Sequence, residues 1–258
     1  MNRTANWIVL VAAILLGLSA VEAQESDTTT PEMVRLQAAC EGGFLDKCFT
    51  LGLAYSEGDN VEENPVKARE YYQRACEGGV MMGCSNLGAL YESGRGGEVD
   101  ASEAVRLYEL ACTEGVATGC TNLGVSYETG FGIEQNSEQA ALFYMRACAE
   151  NELQGCYNLG RSYMDGTGVA QNVTFGNQLF QDVCSKEFWL GCNDLAVSYM
   201  SERGYELNYQ KAHTLLVRAC DVGLALGCNN LGVLHRDGLG VAADMKLGIT
   251  FFSKRAIC

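Results

Sequence analysis

Cys120 to Gly132 reads CTNLGVSYETGFG, and Tyr144 to Cys148, a little further on, reads YMRAC. Both pieces return along the chain on a fixed beat. Cysteines stand in C-x7-C pairs at Cys40 and Cys48, Cys76 and Cys84, Cys112 and Cys120, Cys148 and Cys156, Cys184 and Cys192, and Cys220 and Cys228. Each pair begins 36 residues after the one before. Three residues beyond each second cysteine stands Leu51, Leu87, Leu123, Leu159, Leu195 or Leu231, followed by Gly52, Gly88, Gly124, Gly160, Ala196 or Gly232. Three further on come Tyr55, Tyr91, Tyr127, Tyr163, Tyr199 and His235.

Leu, Gly and Tyr at i, i+1 and i+4 share one helical face. Later in each unit a small residue (Ala68, Ala104, Ala140, Gly176, Ala212, Gly248) is followed four positions on by a large one. The large ones are Tyr72, Tyr108, Tyr144, Phe180, Leu216 and Phe252, and the pair marks the buried face of a second helix. Between the two helices lie glycine pairs such as Gly130 and Gly132, which end one helix and turn the chain. The unit is helix A, turn, helix B. The glycine inside helix A costs about 1 kcal/mol against alanine, which close approach of a neighbouring helix offsets. One such hairpin cannot bury its apolar face alone, whereas stacked copies share a continuous core. The reading is an all-α solenoid of αα-hairpins, a right-handed superhelix of about six and a half 36-residue repeats. A half-unit from Pro31 to Cys40 opens it, and six A–B units run from about Cys48 to Cys258. The fifth unit departs most, with Ala196 for Gly and Glu202-Arg203 where others have glycine, so its A helix is expected to run longer or turn differently.

The N-terminus has the pattern of an export signal. Arg3 precedes an apolar run from Trp7 to Leu18, too short to span a bilayer, and Val21-Glu22-Ala23 offers a cleavage site after Ala23, with Ala20 as the weaker alternative. Residues 1–23 are therefore read as a signal peptide, 24–30 as an unpacked polar tail, and 31–258 as the repeat domain. Thirteen cysteines in a chain of this size agree with export to an oxidising compartment, periplasmic or secreted. The net charge of -14 disfavours nucleic acid and anionic membrane surfaces as partners. No second apolar stretch is long enough to insert in a membrane.

The quoted pattern resembles the Sel-1-like repeat, a relative of the tetratricopeptide repeat. Cysteines at these two positions resemble those of the Helicobacter cysteine-rich protein family of exported bacterial proteins. The spacing alone leaves two disulfide schemes open. Either the Cys ending helix B joins the Cys of the next helix A (Cys76 with Cys84), or one hairpin is tied at both ends (Cys48 with Cys76). Glycine just before the second cysteine (Gly83, Gly119, Gly155, Gly191, Gly227) suits the tight connection of the first scheme, and the family resemblance implies it too. Cys258 lies two residues out of frame, since Ala256 holds the periodic position. It reads as a free terminal thiol, with a disulfide dimer, or a bond to Cys228 under the second scheme, as the alternatives. The resemblance also implies a penicillin-binding activity, with a β-lactam as ligand and weak β-lactamase turnover. It further implies that Asn172-Val-Thr174, a glycosylation sequon in form, goes unused in a bacterial protein.

The residues themselves point away from catalysis. S-x-x-K, G-x-S-x-G, H-E-x-x-H and phosphate- or dinucleotide-binding glycine motifs are all missing. His213 and His235 are the only histidines, too few for a His-rich metal site; His235 fills the repeat's Tyr position and reads as packing, His213 as a surface residue of helix B. No cofactor, metal or catalytic residue is assigned. Trp189, with Phe188 and Leu190, reads as core packing, with an interaction patch second. A protein or peptide partner is expected instead, in the concave groove lined by the A helices. One groove position reads Asn86, Asn122, Asn158, Asp194 and Asn230, an amide ladder suited either to a peptide backbone or to bonds with neighbouring helices. Val125, Arg161, Met164, Val197, Met200, Val233 and Arg236 lie further along that face and suit a peptide with an acidic or carboxylate end.

Overall fold

The computed structural model describes residues 30–254. The signal assigned to 1–23, the tail up to residue 29, and Cys258 lie outside the described residues. Within them the chain forms thirteen helices: α1 (Pro31–Glu41), α2 (Leu45–Glu57), α3 (Pro65–Glu77), α4 (Met81–Ser93), α5 (Ala101–Thr113), α6 (Ala117–Thr129), α7 (Ser137–Ala149), α8 (Leu153–Asp165), α9 (Val173–Ser185), α10 (Trp189–Met200), α11 (Tyr209–Asp221), α12 (Ala225–Asp237) and α13 (Met245–Lys254). Even-numbered helices are the A helices and odd-numbered ones the B helices. No described helix is long and apolar enough to cross a membrane.

Each boundary has a local cause. Asn64, Asp100, Asn136, Asn172 and Asn208 cap the B helices, their side-chain oxygens accepting the backbone N–H three residues on. Pro31 and Pro65 occupy first helical positions, where a missing N–H costs nothing. The A helices end on Gly58, Gly94, Gly130, Gly166 and Gly238 in the left-handed conformation. The fifth A helix, α10, does not run longer. It stops one residue short of its counterparts at Ser201, and Glu202 takes the left-handed backbone (φ 54°) that glycine takes elsewhere.

The disulfides join Cys40 to Cys48, Cys76 to Cys84, Cys112 to Cys120, Cys148 to Cys156, Cys184 to Cys192 and Cys220 to Cys228. Each ties the end of a B helix to the start of the next A helix, so the staples lie between hairpins. Stapling therefore fixes the angle at which one hairpin hands over to the next.

The helix-A glycine lies beneath the large residue of helix B. A Cβ on Gly124 would stand 2.5 Å from the Tyr144 ring, and one on Gly160 would stand 2.7 Å from Phe180. Where this position is Ala196, the facing residue is Leu216, and no ring is present to collide. Glycine and aromatic ring are thus one packing unit, with alanine and leucine as its substitute.

Consecutive A helices touch: α2 with α4, α4 with α6, α6 with α8 and α10 with α12. No two B helices pack this way. The A helices therefore form the inner wall of the curve and the B helices the outer.

Candidate functional site

The inner wall carries an aromatic residue at the junction of α8 and α10. This is Tyr157, its ring 5.7 Å from Phe180 and 5.4 Å from Phe188. Its hydroxyl donates to Asp194 Oδ2 across the junction at 2.9 Å. Burial, then the Asp194 charge, hold the Tyr157 pKa far above the usual phenol range, so the bridge stays a neutral donor on a carboxylate.

Beside this bridge lies a pocket of about 160 Å³, lined by Arg161, Met164, Asp165, Phe180, Asp194, Val197, Ser198 and Arg203. Its floor is apolar for a reason visible along the repeat. In the second and third units the B-helix rings Tyr108 and Tyr144 donate to Glu92 and Glu128 of the A helix. In the fourth unit both partners change together, to Phe180 and Met164, and the carboxylate leaves the groove floor. Arg203, on the turn after α10, closes one side by donating to the Met164 carbonyl at 3.2 Å and to Asp165 at 3.0 Å. Arg95 does the same in the second unit, reaching the Ser56 carbonyl and Glu63. Among the described residues the exposed Arg161 guanidinium makes no hydrogen bond or ion pair, so the pocket keeps an available cation above an apolar floor.

The structure treats the amide ladder unevenly. Asn86 and Ser56 lie beside the Tyr72 hydroxyl. Asn158 is buried and accepts from Gln154, and Asn230 donates to Asn193 at 2.8 Å. Asp194 accepts from Tyr157 and Asn193. Asn158, Asp194 and Asn230 thus bond neighbouring side chains, while the Asn122 side chain has no such partner among the described residues. Arg236 is clamped by the adjacent Asp237 at 2.6 Å. Arg161, Met164, Asp194 and Val197 meet in one pocket; Asn86, Asn122, Asn230 and Arg236 stand away from it. Trp189 packs against the local core, and Arg218 lies 5.2 Å from its ring centroid.

The repeat pattern of Sel1 matches this chain six times, at residues 48–80, 82–116, 117–152, 153–181, 189–224 and 225–255. The chain belongs to the Sel1 repeat family. Its fold is shared with a protective antigen of uropathogenic Escherichia coli strains (27% identity, TM-score 0.72), with 89% of this chain aligned. This chain spans 49% of that protein's length. A Sel1 repeat protein from Oxalobacter formigenes aligns over 88% of this chain and 87% of its own, at 22% identity and a TM-score of 0.76. Helicobacter pylori cysteine rich protein B covers 49% of this chain and 96% of its own, at 27% identity and a TM-score of 0.41. That overlap is partial, and the family assignment rests on the six repeat matches. No curated protein matches the sequence significantly.

The Sel1 pattern explains which site residues escaped sequence reasoning. Tyr157, Phe180 and Arg203 each occupy an ordinary repeat position, and only their coincidence at one junction makes a pocket. The departures at Ala196 and Glu202-Arg203 mark that neighbourhood, which was the one available signal.

Proposed function

We propose that this Sel1 scaffold binds an extended protein or peptide segment along its A-helix groove, with a carboxylate of the partner on Arg161. The observation that carries this reading is the α8–α10 pocket, whose lining brings an available guanidinium together with Phe180, Met164 and Val197. Apolar floor plus cation suits a chain end or an acidic side chain next to an apolar one. Asp194 and Asp165 on the rim select against a partner that is acidic throughout. Six staples in a chain with this N-terminus support an exported protein, periplasmic or secreted. The β-lactam activity implied by the resemblance draws no support from the pocket: its hydroxyl, Ser198, is spent on the Asp194 carbonyl within α10.

Peptides selected on the oxidised protein from a library with free C-termini test the proposal. Arg161→Ala is expected to weaken their binding roughly 10- to 100-fold, the worth of a charge-assisted hydrogen bond. Amidating the peptide C-terminus, where that end is the ligand, has a matching effect that does not add to the substitution. Binding indifferent to Arg161 sinks the assignment.

A further inference from the structure

The repeat register sets two positions facing each other across successive units, one near the start of helix B and the other at the Tyr position of the A helix that follows. Between the first and second units these are Arg69 and Tyr91, with the guanidinium 4.2 Å from the ring centroid. The corresponding pairs are Val105 and Tyr127, Ala141 and Tyr163, Asn177 and Tyr199, and finally His213 and His235. The only two histidines of the chain thus meet in one contact, and both depart there from what the other units carry.

The spacing of their ring nitrogens suits a chelate. The two Nε2 atoms are 3.3 Å apart. With metal–nitrogen bonds of about 2.0–2.1 Å, that separation subtends roughly 104–111° at a shared ion, close to the tetrahedral angle. Both rings are partly exposed, so an ion reaches them from solvent. They are also held in place. His235 stacks on Phe251 with centroids 5.4 Å apart, and the helices carrying the pair, α11 and α12, are stapled by Cys220–Cys228. Fixed first ligands on rigid elements are what a metal site needs.

We propose that His213 and His235 form a two-imidazole site for a borderline divalent transition cation of the Zn²⁺ class. Imidazole selects such ions over Mg²⁺ and Ca²⁺, which take oxygen ligands. No cluster of three or more His, Cys, Asp or Glu able to hold a metal occurs among the described residues, so water completes the coordination and the ion is exchangeable. In binding, both rings carry their proton on Nδ1 and offer Nε2, and the ion replaces the direct N–H···N contact between them.

Isothermal titration of Zn²⁺ into the oxidised full chain, purified without a polyhistidine tag, decides it. One ion is expected per chain, with Mg²⁺ giving no saturable heat. His213→Ala and His235→Tyr, the latter restoring the repeat's own residue, each lower the affinity roughly 100-fold by removing the chelate. Circular dichroism confirms that the variants stay folded, and His235→Tyr carries the test if His213→Ala does not. Absence of saturable binding overturns the proposal. So does binding that survives His235→Tyr, which places the ion on surface carboxylates.

Discussion

Reducing the six staples is expected to lower the thermal midpoint of this protein by tens of degrees, with loss of cooperative unfolding. Each bond closes a loop between cysteines eight apart in sequence, which restricts the unfolded chain and contributes about 2–3 kcal/mol. Six such loops sum to the order of 15 kcal/mol, as much as the whole stability of an ordinary domain at ~5–15 kcal/mol. The native stack has little to set against that loss, because each hairpin touches only its neighbours. Far-UV circular dichroism during heating, with and without a phosphine reductant, measures the effect. A midpoint unmoved by complete reduction, with free thiols counted, contradicts the role given to the staples.

The second large effect concerns the glycine under the ring. Gly124→Ala improves helix propensity by about 1 kcal/mol, and in an exposed helix it would stabilise. Here the new Cβ meets the Tyr144 ring at 2.5 Å and the Ala140 carbonyl at 3.2 Å. Tyr144 is 1% exposed and its hydroxyl is bonded to Glu128, so the ring has nowhere to move. Overpacking of this kind costs about 1–3 kcal/mol net. For a chain this long each kcal/mol moves the midpoint by about 2–4 °C. Adding Tyr144→Leu to Gly124→Ala recreates the Ala196–Leu216 pair already present in the fifth unit. The double variant is expected to be more stable than the sum of the single losses predicts. Strict additivity, measured in a double-mutant cycle, argues that ring and glycine are not coupled.

Repetition made the fold legible. A pattern stated six times fixes the 36-residue unit, the two helices and the turn more firmly than one amphipathic stretch can. The two staple schemes stayed open because cysteine spacing says nothing about which helix ends adjoin, and the structure holds the bond between hairpins. The candidate site was legible only in part. Arg161, Met164, Asp194 and Val197 stood out because they lie off the packed face of helix A. Tyr157 and Phe180 did not, because a bulky residue at a buried position reads as packing. The amide ladder was open between a peptide backbone and neighbouring helices, and a recurring polar residue serves the architecture where it bonds an adjoining unit, as Asn230 does with Asn193. The His213–His235 contact was hidden because the partners sit 22 residues apart on different helices, and only the register of α11 against α12 joins them.

A partner held in the A-helix groove touches the inner wall and not the outer helices. A photo-crosslinking residue placed at Val197, on the pocket, and another at Leu142, 52% exposed on the outer helix α7, separate the faces. Irradiation with a selected free-carboxylate peptide is expected to give an adduct from position 197, and that adduct disappears with Arg161→Glu. Equal adducts from both positions, or an adduct at 197 that survives Arg161→Glu, contradict a carboxylate partner in the A-helix groove.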